Sequence, residues 1–454
     1  MTSAHGALKF MSNTWRSIEP LRKRRRPPKF TGECVMVKRF SRYAKLFALV
    51  GCFFIRDFRG QSSEKESRVM WRSPYFVYSA VCFTLMLTLE AWAVYVRFSH
   101  LDFTTMFTEY LLSTLQLCLV FKVTVNFFCM TVASTRLHQF FRRATLFEAS
   151  AGISYLVRLP PATCTWFRKL RKVGVAVTAL TTLAGSLTFA VQIFLKASKF
   201  SFTSEVAKMV LRILSQVVFC TYELSMYIVL STASEVLVCY VRSLAMALRK
   251  CEKCIREARI DGQSAAQVVE NIRKSLCSVR ELKNCIGGIW APGIVAFSLL
   301  TLWVHCTTLY CLFIGHGNHL DLWLGLAYGA HCALALLDLA VLSHDLRTEQ
   351  HLLSAVLERY RFKGSALCSA QNIRNVATRA TILHSDDAYI RQIQFLHDSI
   401  DPDGMRLSAA NFFCLDRGLL VSMAGSVITY TVILVQTSDG FSSRLSGDSG
   451  IATP

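Results

Sequence analysis

The sequence has few acidic residues and lacks the motifs with which enzymes hold substrates. Asp and Glu number 30 against 51 Lys and Arg, so the formal net charge is +21. There is no glycine-rich phosphate loop, no His-Glu-x-x-His pair of metal ligands and no Gly-x-Ser-x-Gly nucleophile turn. We therefore expect no enzymatic activity, no bound metal and no cofactor.

Apolar residues, in contrast, are abundant. They make up 52% of the sequence, and the mean hydropathy is +0.36, which is more than a single soluble core requires. Seven apolar runs are long enough to cross a bilayer as helices. They are Pro74–Val96, Met106–Ala133, Val173–Leu195, Met209–Val241, Ile289–Ile314, Leu322–Ser343 and Gly418–Gln436. The sequence predicts an all-α, polytopic membrane protein with seven transmembrane helices.

The distribution of Lys and Arg predicts the orientation of these helices. The stretches before span one and after spans two, four and six hold 17, 8, 10 and 9 basic residues, whereas those after spans one, three, five and seven hold 1, 3, 0 and 1. The positive-inside rule therefore places the N-terminus in the cytoplasm and the C-terminus outside the cell. This orientation is the reverse of that of a G-protein-coupled receptor. It also accounts for the positive charge without a nucleic-acid partner.

The outside stretches carry none of the usual marks of an extracellular domain. They are short, the sequence has no Asn-x-Ser/Thr glycan acceptor, and none of the 17 cysteines lies in them. We therefore predict free thiols rather than a disulfide framework. Because Cys251-x-x-Cys254 has no second pair, a zinc site is not expected there. No cleavable signal peptide precedes the first span.

The inside stretches are longer and have helical patterns. Arg39–Phe58 alternates basic and apolar groups and predicts a short helix against the membrane. Arg242–Asn284 predicts two helical pieces broken at Asp261-Gly262, and Asp345–His397 is a further polar helical piece. Helices that project into the cytoplasm need partners for their apolar stripes, which favours a self-associating anchor domain.

These features predict five parts of the chain. Residues 1–73 form a cytoplasmic basic segment with the short amphipathic helix. Residues 74–346 contain transmembrane helices one to six, with an outer-half ligand pocket and cytoplasmic helical extensions. Residues 347–416 form the anchor helices and the inner part of the last helix, behind the turn signal Asp401–Gly404. Residues 417–437 form the last membrane helix, and residues 438–454 an extracellular tail.

The last apolar run has a small, hydroxylated face. Its members recur every three or four residues and none is ionised: Gly418, Ser422, Gly425, Thr429, Val432 and Gln436. Small and hydroxylated residues let membrane helices pack closely. Polar groups at membrane depth also line water-filled pathways. The spacing alone favours close packing but leaves both interpretations open.

The same stretch resembles a known family signature. Thr429-Tyr430 followed by Gln436, and preceded by Phe413–Asp416 and Gly425-Ser426, is similar to the C-terminal motif of insect gustatory receptors. Thr437 stands where that family commonly has Phe. The N-terminal stretch 44–54 and the seven-span layout agree with the family as well.

The resemblance implies a tastant-gated, non-selective cation channel in the plasma membrane of sensory neurons. It implies a homo- or hetero-tetramer with related receptor subunits, embedded in membrane lipid, that needs neither a G protein nor a cofactor. The family splits the last span into an inner half and a pore half, and the pore-lining positions carried over are Gly425, Thr429, Val432 and Gln436. Two alternatives stay open: an odorant-receptor-type subunit that needs a partner channel subunit, and a secondary transporter. The odd number of spans and the absence of two similar halves count against the transporter.

A ligand from outside has to bind among the outer halves of the helices, because no extracellular domain is present. The candidate ligand-binding residues are Glu109, Gln116, Gln192, His305, Thr308, Tyr310, Asp321, Trp323 and Tyr328. Further polar residues at this depth are Glu90, Tyr110, Arg212, Gln216 and His331. Glu109 and Arg212 could instead neutralise each other, and Tyr310 and Trp323 could belong to an interfacial aromatic belt. Lys122 and Glu223 lie nearer mid-membrane, where structural contacts are expected.

Overall fold

The computed structural model describes residues 34–55, 73–99, 107–151, 202–257, 262–314, 319–370, 379–401, 403–409 and 413–448, and the single positions 173, 176 and 180. Helices dominate these ranges. They are α1 (Val35–Leu49), α2 (Pro74–Ser99), α3 (Phe107–Thr131), α4 (Ser134–Ala151), α5 (Phe202–Arg256), α6 (Gly262–Ile314), α7 (His319–Ala370), α8 (Arg379–Ser399) and α9 (Arg417–Asp448).

Six stretches of these helices are long and apolar enough to cross a membrane. They are Pro74–Tyr95, Tyr110–Thr131, Ile213–Cys251, Gly262–Phe313, Gly325–Thr348 and Arg417–Thr437. They coincide with six of the seven predicted spans, so the prediction of an all-α, multi-pass membrane protein is confirmed. The remaining prediction, Val173–Leu195, falls outside the described residues except for three single positions.

Helix α5 forms the centre of the bundle. The whole of its most apolar window is buried, whereas only 17% of that of α2 and 6% of that of α9 are buried. Aromatic rings pack around it. Phe83 of α2 stacks on Phe127 of α3 with 3.9 Å between ring centroids, and the ring centroid of Tyr222 in α5 lies 5.2 Å from that of Phe127. Helices α2 and α9 therefore lie at the periphery of the single chain.

Several helices continue far beyond the bilayer. Helix α5 has 55 residues, α6 has 53 and α7 has 52. At 1.5 Å per residue each is about 80 Å long, more than twice the thickness of the hydrocarbon core. Helix α5 ends at Arg256 and α6 begins at Gly262, so the predicted break at Asp261-Gly262 is confirmed. Helix α8 packs chiefly on α6 and also on α7.

Two glycines let α6 and α7 approach closely. A Cβ atom on Gly325 would lie 3.2 Å from Oγ1 of Thr308, and one on Gly329 would lie 3.5 Å from Cγ1 of Val304. The spacing of the two glycines is the small-xxx-small pattern of membrane helix pairs, in which missing side chains permit close contact between backbones.

The apolar face of the N-terminal helix α1 packs on protein. This face is buried against α4 and α5, and the ring centroid of Phe40 lies 4.9 Å from that of Phe141 in α4. The sequence predicted a short helix against the membrane over Arg39–Phe58, whereas the observed helix spans Val35–Leu49. The cover of its apolar face was not predicted, because α4 is distant in the chain. Burial, with the nearby carboxylate of Glu148, raises the pKa of the Cys34 thiol at the start of this helix to about 12.

A small hairpin precedes the last helix, where the sequence predicted the inner part of that helix. A 3-10 turn, Asp403–Met405, leads to β1 (Ser408–Ala409), which pairs antiparallel with β2 (Phe413–Cys414). The amide of Leu415 donates to the carbonyl oxygen of Leu407 at 2.8 Å. Burial alternates along this segment, as in a strand with one covered face.

Candidate functional site

Helix α9 has one face that packs on its own chain and one that does not. The packed face contacts the main core through Leu419, Leu420 and Met423, continues at the buried Thr431, and ends at Leu434 and Val435. The opposite face is exposed. It includes Gly418, Ser422, Gly425, Thr429, Val432 and Gln436, beside the exposed apolar side chains of Val421, Ile428 and Ile433. The residues that the sequence grouped by spacing therefore share one uncovered face in the described part of the chain.

The exposed face is chemically mixed. The hydroxyl of Thr429 donates to the carbonyl oxygen of Gly425 at 3.0 Å, so it is satisfied by its own helix. A Cβ atom on Gly425 would meet nothing within 4 Å, and this glycine is therefore not needed for packing inside the subunit. Val432 is 49% exposed and Tyr430 is 53% exposed. Such a surface suits contact with a second chain or with water rather than with its own bundle.

The first turn of α9 is fixed by Asp416. Its Oδ1 accepts a hydrogen bond of 3.0 Å from the amide of Leu419, which makes Asp416 the N-cap of the helix. Its Oδ2 lies 3.4 Å from Nη1 of Arg406 in the preceding turn segment. The carboxylate also complements the positive end of the helix dipole.

Hydrogen bonds and an ion pair also connect the turn segment to α6. Nη2 of Arg280 lies 2.6 Å from Oδ2 of Asp401, and Oδ1 of Asp401 accepts from the amide of Gly404 at 3.0 Å. Nζ of Lys283 donates to the carbonyl oxygens of Gly404 and Arg406 at 2.7 and 3.1 Å. These contacts form a continuous connection from α6 to the N-cap of α9, and we call it the 401–416 connection.

A polar network lies inside the bundle. Lys122 of α3 forms an ion pair with Glu223 of α5, and Tyr328 of α7 donates to Oε1 of Glu223 at 3.0 Å. Nδ2 of Asn126 donates to the carbonyl oxygens of Tyr222 and Glu223, both at 3.1 Å. Lys122 and Glu223 thus make the structural contacts expected of them. The role of Asn126 was missed, because no spacing rule links it to a helix one hundred residues away.

A second polar cluster joins α2, α3 and α5. Oε1 of Glu90 accepts from Nε2 of Gln216 at 2.8 Å, and its Oε2 lies 3.5 Å from Nε2 of Gln116. Glu90 is 2% exposed and Gln216 is 7% exposed. Of these three residues only Gln116 is in the predicted ligand set, and the cluster brings it together with two other polar residues at that depth.

The remaining ligand candidates separate into different environments. Tyr310 is buried beside Leu111 and Phe107, with its ring centroid 5.4 Å from that of Phe107. Thr308 is buried against Gly325, and Nδ1 of His305 lies 2.7 Å from the carbonyl oxygen of Thr301. Two candidates take other positions: Trp323 is 69% exposed, and Tyr328 joins the interior network. The side chains of Glu109, Gln192, Asp321 and Arg212 lie outside the described residues.

The C-terminal part of α9 packs on the cluster that contains one ligand candidate, Tyr310. Leu434 and Val435 pack on the cluster formed by Leu111, Tyr310 and Cys311. Farther in, Sγ of Cys306 lies 3.8 Å from the carbonyl oxygen of Val427. Tyr310 and α9 are therefore joined by this cluster without an intermediate element.

Comparison with known proteins gives a family match and several structural matches that agree with this fold. Residues 368–445 match the protein-family model described as Trehalose receptor. The fold resembles two structures of the insect olfactory receptor OR5 from Machilis hrabei. The one in complex with eugenol has a TM-score of 0.62 and 14% identity, and the other 0.59 and 15%; each alignment covers 88% of this chain and 98% of that chain. The comparison with curated proteins finds no match.

The resemblance to the insect chemoreceptor superfamily is confirmed. The family match covers α8, the hairpin and most of α9, and the C-terminal signature residues lie in the last two of these. The structural match to OR5 also covers the other helices of this chain. Because the sequence identity is low, this match concerns the fold alone. Neither match reaches the level of individual site residues.

Proposed function

We propose that the protein is a subunit of a gustatory-receptor-type, tastant-gated cation channel in the plasma membrane of a sensory neuron. The observation that carries this proposal is the exposed face of α9, whose apolar window is only 6% buried in the single chain. A helix that is neither covered by its own bundle nor uniformly apolar requires another surface. Three further copies of the same helix supply one.

In this proposal, four α9 helices surround a central pathway. Gly425 and Thr429 line its wall, the four Val432 side chains form a hydrophobic gate, and Gln436 forms the outer entrance of the pore. Four amide oxygens around an axis replace part of the hydration shell of a cation. Because the net charge of the chain is positive, the preference for cations has to come from such local oxygens.

The cytoplasmic helices supply the contacts between subunits. We assign this role to the extensions of α5, α6 and α7 and to α8, which lie beyond the predicted spans. The 401–416 connection then links the anchor to the first turn of each pore helix. A motion of the anchor is transmitted to α9 through Asp401, Arg406 and Asp416.

The ligand site is proposed in the outer half of the bundle, around Gln116, Thr308 and Tyr310. The other candidates kept for this site are Glu109, Gln192, His305, Asp321, Trp323 and Tyr328. A ligand that fits better around the open arrangement shifts the equilibrium toward it, by the difference in its affinity for the two states. The description of the matched family makes a disaccharide the first compound to test.

The experiment that tests the pore replaces single α9 residues by cysteine and records current during exposure to a membrane-impermeant thiol reagent. V432C and Q436C should react and lose current, whereas T431C, on the packed face of the same helix, should not. If all three variants fail to react while current persists, the conduction pathway lies elsewhere. A ligand-evoked current with a defined reversal potential would support the channel, whereas saturable uptake without conductance would support the transporter alternative.

A second candidate is an odorant-receptor-type subunit that conducts only with a partner. The likeness to OR5, which covers 88% of this chain, favours keeping it. Expression of the protein alone and together with a channel-forming chemoreceptor subunit separates the two. Current only in the second case supports the partner-dependent role.

A further inference from the structure

The charged residues of helices α1 and α4 form two sets, an inner set that contacts the bundle and an exposed outer set. Their one acidic residue, Glu148, is fully buried and accepts hydrogen bonds from the amides of Val35 and Met36 at 2.7 and 3.2 Å. It also accepts from the hydroxyl of Tyr240. Arg39 points into the bundle and lies 2.9 Å from Glu235. The inward-facing charges of this helix pair are therefore matched.

The outward-facing charges are all positive. We call the exposed surface of α1 and α4 the basic face, and its cations are Lys38, Arg42, Lys45, Arg136, Arg142 and Arg143. No acidic residue of either helix is exposed. In the described part of the chain, Arg42, Lys45, Arg142 and Arg143 form no ion pair. The basic face therefore attracts anions from outside the subunit.

The basic face lies at the end of the bundle where the first span begins. The hydroxyl of Tyr75, in the first turn of α2, donates to the carbonyl oxygen of Ala48 at 2.8 Å, and Tyr78 donates to that of Leu49. Helix α4 begins three residues after α3 ends. The end of α1 is thus held at the level of the membrane boundary.

Apolar side chains are exposed at that same boundary. Leu46 is 42% exposed and Leu49 is 69% exposed, on the same side of α1 as Arg42 and Lys45. Exposed leucines beside cations are typical of helices that rest in the headgroup region, where acyl chains and anionic headgroups are both within reach. A soluble anion would use the cations but not the leucines.

We propose that the basic face binds the headgroups of anionic phospholipids in the cytoplasmic leaflet, with Leu46 and Leu49 against the acyl region. This proposal rests on the cytoplasmic N-terminus assigned above and not on conduction. Bound lipid holds α1 against α2 and α4, and therefore supports the base of the first span. The anionic lipid of the inner leaflet is the partner whose charge and amphipathic character fit this surface.

The test counts lipids bound to the purified full-length protein in neutral detergent by native mass spectrometry. Short-chain phosphatidylserine is titrated, with phosphatidylcholine as the neutral lipid and glycerophosphoserine as the headgroup without acyl chains. The variants are R42Q/K45Q, R142Q/R143Q and L46S/L49S. The matched control is R249Q/K250Q, which removes two exposed cations from the far extension of α5.

We expect phosphatidylserine to bind more tightly than phosphatidylcholine. R42Q/K45Q and R142Q/R143Q should each lower the affinity for phosphatidylserine by at least about tenfold. R249Q/K250Q should leave lipid binding unchanged. L46S/L49S should weaken the binding of phosphatidylserine but not that of glycerophosphoserine. Equal loss in the α5 control, or no loss in either basic-face variant, overturns the proposal. So does a change of oligomer size without a change in lipid binding, because the face would then be a contact between subunits.

Discussion

Lys122 and Glu223 form an ion pair in the interior of the bundle, where their side chains are only 2% and 4% exposed. The pair joins α3 to α5, and the hydroxyl of Tyr328 joins α7 to the same carboxylate. Nζ of Lys122 also lies 4.4 Å from the centre of the Phe297 ring in α6. One ion pair therefore holds four helices in register.

Removing one member of this pair should destabilise the protein strongly. K122M leaves the Glu223 carboxylate buried beside Tyr328 without its cation, and the expected loss is about 3 to 5 kcal/mol. Thermal unfolding in detergent measures it. The double variant K122M/E223Q removes both charges and should recover most of the loss. If K122M alone unfolds like the parent protein, the two groups do not form a buried ion pair.

A second prediction concerns the 401–416 connection. A methyl group on Gly404 would lie 2.4 Å from Oδ2 of Asp401 and 2.5 Å from Nη2 of Arg280, closer than real contacts permit. G404A should therefore displace the ends of these two flexible side chains and lower the stability by about 1 kcal/mol or less, because the pair is partly exposed to solvent. D401A should lower it at least as much, because it also removes the acceptor of the Gly404 amide.

The control for that experiment is G425A on the open face of α9, where an added methyl group meets nothing within 4 Å. It should leave the unfolding temperature of the isolated subunit unchanged. If G404A behaves like G425A, the turn adjusts without strain, and the connection does not hold the pore helix.

The helices were predictable from the sequence because each span is a local property of a continuous apolar run. The polar face of α9 was predictable for the same reason, since Gly425, Thr429 and Val432 repeat with the helical period. The contacts that close the structure were not. Glu148 reaches the start of α1 from more than one hundred residues away, and no local pattern marks it.

The candidate ligand residues show where such patterns stop being informative. Tyr310 and Trp323 have the same aromatic character near the membrane boundary, yet the first is 2% and the second 69% exposed. Hydropathy records how apolar a side chain is and not which helix lies beside it. The hairpin before α9 was missed because its strands have only two residues each, too few for a period to be visible.

A third prediction follows from the close contact between α6 and α7. G329L should separate the two helices, because its side chain would collide with Val304 and His305. We expect a large loss of folded protein, measured by size-exclusion chromatography of a fluorescent fusion. A330L, on the exposed neighbouring position of α7, should have little effect. Equal yields of the two variants would show that α6 and α7 do not require this contact.

A fourth prediction concerns the cap of α9. D416A removes the acceptor for the amide of Leu419 and the partner of Arg406, and should destabilise the first turn by about 1 kcal/mol. D416N retains the capping oxygen and should retain most of the stability. Hydrogen exchange of the amides at the start of α9 measures the difference directly. Equal protection in D416A and the parent protein would contradict the assignment of the cap.

The fifth prediction concerns Tyr310, which links a candidate ligand residue to the pore helix. Its ring is buried with Leu111 and Cys311, and Leu434 and Val435 of α9 pack on that cluster. Y310A leaves a cavity under these two residues, which lie within one helical turn of Val432 and Gln436. We expect altered basal current as well as a weaker ligand response, because α9 loses support on its packed side. Y310F keeps the ring and should keep the basal current.

The two variants are read by comparing current without ligand and the ligand concentration for half-maximal response. Loss of ligand response in Y310A with unchanged basal current would make Tyr310 a ligand contact only. A change in basal current that Y310F does not share shows that the ring acts by packing on Leu434 and Val435. T431C in combination with Y310A provides an independent check. Thr431 lies on the packed face of α9, so a thiol reagent should reach a cysteine there only if α9 has moved.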